Sequence, residues 1–64
     1  MTPRIGRITM KTARLLRERA LEANAIASAL YEDGHFAASH LATDAALQLA
    51  SAAQALESRL GGRS

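Results

Sequence analysis

His40 and Asp44 stand four residues apart, and His35 stands two from Asp33. On a helix the first pair would share a face one turn apart. Imidazole and carboxylate are the side chains that ligate zinc or exchange protons. A metal centre needs a third and fourth ligand converging on the same point, and here there is no cysteine and no HExxH-like spacing. The expectation is four solvated polar residues, around a turn and on an outer helix face, with no metal. Ser39 beside His40 does not make a nucleophile and base, because adjacent helical residues point in different directions. No nucleophile, base and orienting group form a set, and so small a chain offers no deep cleft for a substrate. The chain is not expected to be an enzyme or to carry a cofactor.

A second chemistry is phosphate binding. The net charge of +2 is unevenly spread: the first 17 residues carry +5 and the remaining 47 carry −3. Arg4, Arg7, Lys11 and Arg14 could neutralise phosphates and release counterions, giving salt-sensitive binding that ignores sequence. No aromatic lies among them to stack on bases. Weighed against this is a solubilising basic terminus, the more ordinary use of such a run. An Arg-rich, acid-poor start is also found in organelle transit peptides. Here the basic run passes unbroken into helix pattern with no apolar signal core, so a soluble basic arm is expected.

The elements that position these residues follow from composition. Sixty-four residues make one domain at most. Alanine and leucine dominate, valine is absent and isoleucine occurs three times, which favours helix over sheet. Pro3 and Gly6 keep the first residues out of a helix. The alternation over residues 7–11 allows a short strand and a ribbon-helix-helix DNA binder, but the helix that follows is too long for that module. The organisation expected is a flexible basic arm (1–11), a helix (12–32) capped by Thr9 or Thr12, a turn (33–35), a second helix (36–60) and a frayed tail (61–64). The fold class is all-α, an antiparallel two-helix hairpin with Gly34 ending the first helix.

In the first helix Ala13, Leu16, Ala20, Ala23, Ala27 and Leu30 recur at alternating spacings of three and four, a heptad seam. Leu15 and Ile26 widen it. The opposite face carries Arg14, Arg17, Glu18, Ser28 and Glu32, with Arg14 and Glu18 placed for an i,i+4 ion pair. In the second helix Ala38, Leu41, Ala42, Ala45, Leu49, Ala52, Ala53, Leu56 and Leu60 form a wide apolar stripe. One partner helix covers only part of that stripe, and alanine buries little area. A second contact surface is therefore expected, most simply a twofold homodimer closing a four-helix bundle. The expected dimer core is Leu16, Ala20, Ala23, Ala27, Leu30, Leu41, Ala45, Leu49, Leu56 and Leu60. Leu21 and Leu47 fall among polar residues. With Asn24, Ser28 and Tyr31 they make an expected surface for a protein partner.

Two resemblances bear on this. Residues 24–49 resemble a tetratricopeptide-repeat hairpin, carried by Ala27, Leu30-Tyr31, Gly34, Phe36, Ala46 and Leu47, with the aromatic two residues after the turn glycine. Ala23, Ser39 and Thr43 depart from the repeat's pattern, and one repeat is present where a solenoid needs about three. The resemblance implies the hairpin and a first-helix face that meets ligands. The whole chain also resembles the Rop-type RNA modulators, through Ala13-Arg14-Leu15-Leu16-Arg17 followed by alternating alanine and leucine layers. That resemblance implies a dimeric four-helix bundle, although Leu15 stands where that family places an aromatic. The expected function is a small, cytoplasmic, non-enzymatic regulatory protein binding another protein through helix faces. The alternative is a nucleic-acid-binding regulator using the basic arm. No apolar run approaches the roughly 18 residues of a membrane span, so no membrane partner is expected.

Overall fold

Thr9 starts the first helix. Its backbone is extended (φ −133°, ψ −178°), and its Oγ1 accepts a hydrogen bond from the Lys11 N–H at 3.2 Å. That bond satisfies one of the donors a helix start leaves unpaired. The computed structural model describes residues 8–61. Residues 1–7, with Arg4 and Arg7, and the tail from 62 onward lie outside the described residues. The chain there is two α-helices, α1 (Met10–Glu32) and α2 (Phe36–Gly61), packed against each other. Met10 and Lys11, expected in the arm, are the first turn of α1, so among the described residues 8–11 there is no strand.

The turn is built by Gly34. At φ +87° it adopts the left-handed backbone that an L side chain resists. The His35 N–H donates to the Leu30 carbonyl at 2.8 Å and the Gly34 N–H to the Tyr31 carbonyl at 3.0 Å. This pair of bonds is a Schellman cap, which closes α1 and reverses the chain at once. The His35 carbonyl then accepts from the Ser39 N–H at 2.9 Å, opening α2.

The helices meet along a seam of small side chains. Ala13, Ala20 and Ala27 of α1 and Ser39, Ala46 and Ala53 of α2 are buried, each set spaced by seven. Serine's side chain is one carbon long, yet Ser39 Oγ donates to the Ala27 carbonyl of the opposite helix at 2.8 Å. Backbones must therefore run close together near the turn, as small residues permit. In α1 the seam is the expected one. In α2 it passes through Ser39 and Ala46 rather than through Ala38 and Ala45, turning the expected stripe partly away from α1.

Antiparallel geometry sorts the remaining residues onto two faces. Three residues beyond each seam position lie Leu16, Ala23 and Leu30 of α1 and Ala42, Leu49 and Leu56 of α2, all half-buried. Four residues beyond lie Arg17, Asn24 and Tyr31, and Thr43, Ala50 and Glu57, on the other side of the seam. No large side chain is fully buried on either.

The charges at the ends of α1 oppose its dipole. Its first turn has no acidic residue and contains Lys11, and its last turn has no basic residue and contains Glu32. Each such reversal costs about 0.3–1 kcal/mol at low salt. In α2, by contrast, Arg59 sits in the last turn, where a cation is favoured.

Candidate interaction surfaces

The first face is a groove. Arg17, Leu21 and Asn24 of α1 line it opposite Thr43, Leu47 and Ala50 of α2, and it continues toward the turn past Ser28, Tyr31 and Ser39. Leu21 is 69% exposed and Leu47 62%, so these two leucines stand on opposite rims with their side chains in water. The polar groups between them are short. Thr43 Oγ1 donates back to the Ser39 carbonyl at 3.0 Å, and the Asn24 amide and the Ser28 hydroxyl line the groove beside it.

An interaction closes each end of this groove. At the open end of the hairpin Arg17 grips Glu57 in a two-pronged ion pair, Nε to Oε2 at 2.8 Å and Nη2 to Oε1 at 2.7 Å. Hydrogen bonding to the guanidinium holds the Glu57 carboxyl below the usual carboxylate range, with the ion-pair attraction acting the same way against partial desolvation. The same bonds, then the attraction, raise Arg17 further. At the turn Tyr31 and Phe36 meet edge to face with ring centroids 4.9 Å apart. Both rings remain more than half exposed.

The second face carries the larger apolar side chains. Leu16, Leu30, Leu49 and Leu56 line it half-buried, flanked by exposed Leu15, Ile26, Leu41 and Leu60. Its α2 side runs from Ala38 through Leu41, Ala42, Ala45, Leu49 and Ala52 to Leu56 without a charged residue. Near the turn it ends in a shallow depression formed by Ile26 and Leu30 with Glu32, Asp33 and His35. Near the open end it ends in another, formed by Ala52, Leu56 and Leu60 with Ile8 and Arg59.

The residues singled out from sequence thus separate cleanly. Leu21, Asn24, Ser28, Tyr31 and Leu47, from two helices, come together on the groove face. Leu16, Ala23, Leu30, Leu41, Ala45, Leu49, Leu56 and Leu60 belong to the leucine face or its edge, while Ala20 and Ala27 are buried between the hairpin's own helices. Lys11 and Arg14 are exposed at the open end; Arg4 and Arg7 lie outside the described residues. Asp33 and His35 meet at 3.3 Å beside the turn, and among the described residues no three His, Cys, Asp or Glu side chains are grouped to hold a metal. Among the described residues no helix is long and apolar enough to cross a membrane.

Sequence reasoning missed Ser39 and Ala46 as seam residues and Glu57 as the partner of Arg17. The spacing 39, 42, 46, 49, 53, 56 was a usable signal, hidden because alanine is common enough in α2 to satisfy several registers. The ion pair within α1 is also not Arg14 with Glu18 but Arg19 with Glu22, at 3.1 Å. No protein-family model, curated protein or solved structure matches the chain.

Proposed function

We propose that the chain is a small, cytoplasmic, non-enzymatic interaction protein with two working faces. The leucine face joins two copies into a four-helix bundle, and the groove face holds a segment of a partner protein. One observation carries this reading: the smallest side chains occupy the seam while the leucines stand half in water. Apolar surface of that size on a hairpin this small favours coverage by another molecule.

The groove suits a helix as ligand. From Arg17 to Tyr31 it runs about 20 Å at 1.5 Å per residue, roughly four helical turns. Leu21, Leu47 and Tyr31 are anchors for apolar side chains, and Asn24 and Ser28 supply orientation by hydrogen bonding. This agrees with the tetratricopeptide-repeat resemblance, in which the first-helix face meets ligands, and the bundle agrees with the Rop-type resemblance. Sedimentation equilibrium at micromolar concentration tests the core of the proposal. A dimer is expected for the unaltered chain and for the double variant Leu21→Ser, Leu47→Ser, whose changes lie on the groove. A folded monomer would overturn the proposal.

A second reading is supported by the charge at the open end, where the hairpin brings Arg59 of α2 to the same end as Lys11 and Arg14 of α1. With Arg4 and Arg7 these residues would bind nucleic-acid phosphates. Fluorescence polarisation against duplex DNA and structured RNA at two salt concentrations separates the readings. Affinity that falls steeply with salt and vanishes on removing residues 1–11 would favour the nucleic-acid reading.

A further inference from the structure

Two pockets share the groove, and their linings differ in kind. Toward the open end Leu21 and Leu47 stand on opposite rims above Ala20 and Ala46. Arg17 lines this pocket too, but its charge is committed to Glu57. Toward the turn Ser28, Tyr31, Glu32 and Ser39 line the second pocket. Asn24 and Thr43 belong to both, so the two are continuous. The first is largely apolar; the second is polar and holds a carboxylate.

Three features of the second pocket select a cation. Glu32 supplies a negative charge and makes no ion pair among the described residues. It stands in the last turn of α1, where the helix dipole is also negative and no basic residue is present. Tyr31, 58% exposed, adds an aromatic ring, whose face attracts cations. The other charges on these helices do not cancel this. Asp33 meets His35 at 3.3 Å, Arg19 pairs with Glu22 at 3.1 Å, and Asp44, next to Thr43, has the same sign as Glu32. Arg14, Glu18 and His40 line neither pocket.

Resting on the groove reading above, we infer that the partner segment is a basic amphipathic helix. It places a lysine or arginine in the Glu32 pocket and, seven residues later, a large apolar side chain between Leu21 and Leu47. The spacing comes from α1 itself. Leu21 and Ser28 are seven residues apart, about 10 Å or two turns, and a helix lying along α1 repeats its side chains at the same interval. A cation above Ser28 reaches one further turn to Glu32 along its own flexible stem. The order follows from direction. Helical side chains lean toward their own N-terminus, so a partner helix that starts at the turn aims its cation at Glu32. In that direction its positive dipole end also meets Glu32 and Asp33, and its negative end lies toward Lys11 and Arg14. Glu32 destabilises α1 where it stands, and a bound cation offsets that conflict.

The test is a selection followed by a titration. Alanine-rich helical peptides displayed on phage, varied along one face, are panned against the full chain and counter-selected on the Leu21→Ser, Leu47→Ser variant. Enriched peptides should carry lysine or arginine seven residues before leucine, methionine or phenylalanine. Groove-dependent peptides whose residue at that position is acidic or neutral, or whose cation follows the apolar residue, overturn the inference and leave the groove reading intact. Absence of any peptide that tells the unaltered chain from the double variant overturns both. Fluorescence polarisation with an enriched peptide then isolates the charge contact. Replacing the peptide's basic residue by glutamine should weaken binding about tenfold in low salt against the unaltered chain, and less than about threefold against Glu32→Gln. Glu32→Gln removes a charge that opposes the dipole of α1, so helicity by circular dichroism is retained and the weaker binding is not unfolding. Equal losses against the two chains contradict the inference.

Discussion

The seam and the leucine face run side by side along the same two helices, and they use side chains of opposite size. The seam buries alanines and one serine, and Ala53 is wholly inaccessible at 0%. One step around each helix, leucines remain half in solvent, and Leu41 on the edge is 70% exposed. A hairpin selected only to fold by itself would place leucine where it could be covered. Small seam residues instead give close approach of the backbones, secured by the Ser39 hydrogen bond and the Arg17–Glu57 bridge, and turn the larger apolar groups outward. The difference teaches that the internal contact provides shape but leaves the larger apolar groups half in water, and on the proposed reading a second molecule covers them.

The largest expected break in this comparison is on the leucine face. Leu49→Glu puts a carboxylate into the proposed contact twice, once per copy, without touching the seam. The dimer dissociation constant should rise about a hundredfold or more, equivalent to about 2.8 kcal/mol; sedimentation equilibrium reads it. Ala53→Leu makes the complementary change. Enlarging a seam residue forces the helices apart and should lower stability by about 1–3 kcal/mol in urea unfolding. An increase in stability would mean the seam has room, and the distinction between the two regions would fail.

Smaller effects sharpen the picture. Ser39→Ala removes the cross-helix hydrogen bond while leaving the Ala27 carbonyl in its own helix ladder, so about 1 kcal/mol is expected from thermal unfolding. The smallest effect is that of the Arg17–Glu57 bridge, which is solvated. Its pH dependence has a definite sign. Glu57 titrates below its unfolded value near pH 4.3, so the bridge contributes fully above that pH and is lost as pH falls through the lowered folded value. The difference in thermal midpoint between the unaltered chain and Glu57→Gln should therefore shrink in acid, and shrink again in high salt at neutral pH.

Much of the architecture was legible from local rules. Gly34 marked the turn, Thr9 was one of two caps considered, and the heptad of Ala13, Ala20 and Ala27 was read correctly because leucines at Leu16 and Leu30 fixed its phase. The register of α2 was not, since Ala38, Ala42, Ala45, Ala46, Ala52 and Ala53 offer nearly equal hydrophobicity at neighbouring angles. What selects among them is packing against α1, including a hydrogen bond from a serine that polarity alone assigns to solvent. Glu57 was invisible for a related reason: its partner is 40 residues away in sequence. The groove was half legible. Leu21 and Leu47 stood out on polar faces, but only the antiparallel pairing shows that they share one surface with Asn24, Ser28 and Tyr31.

The central claim is that the half-exposed leucines are covered by a second molecule, so folding and association are linked. The most direct measurement is thermal unfolding followed by circular dichroism over a thousandfold dilution series of the unaltered chain. Linkage predicts a midpoint that falls steadily with dilution, as mass action requires when only the folded state associates. A midpoint that stays constant across the series, with full helicity at the lowest concentration, would contradict the account.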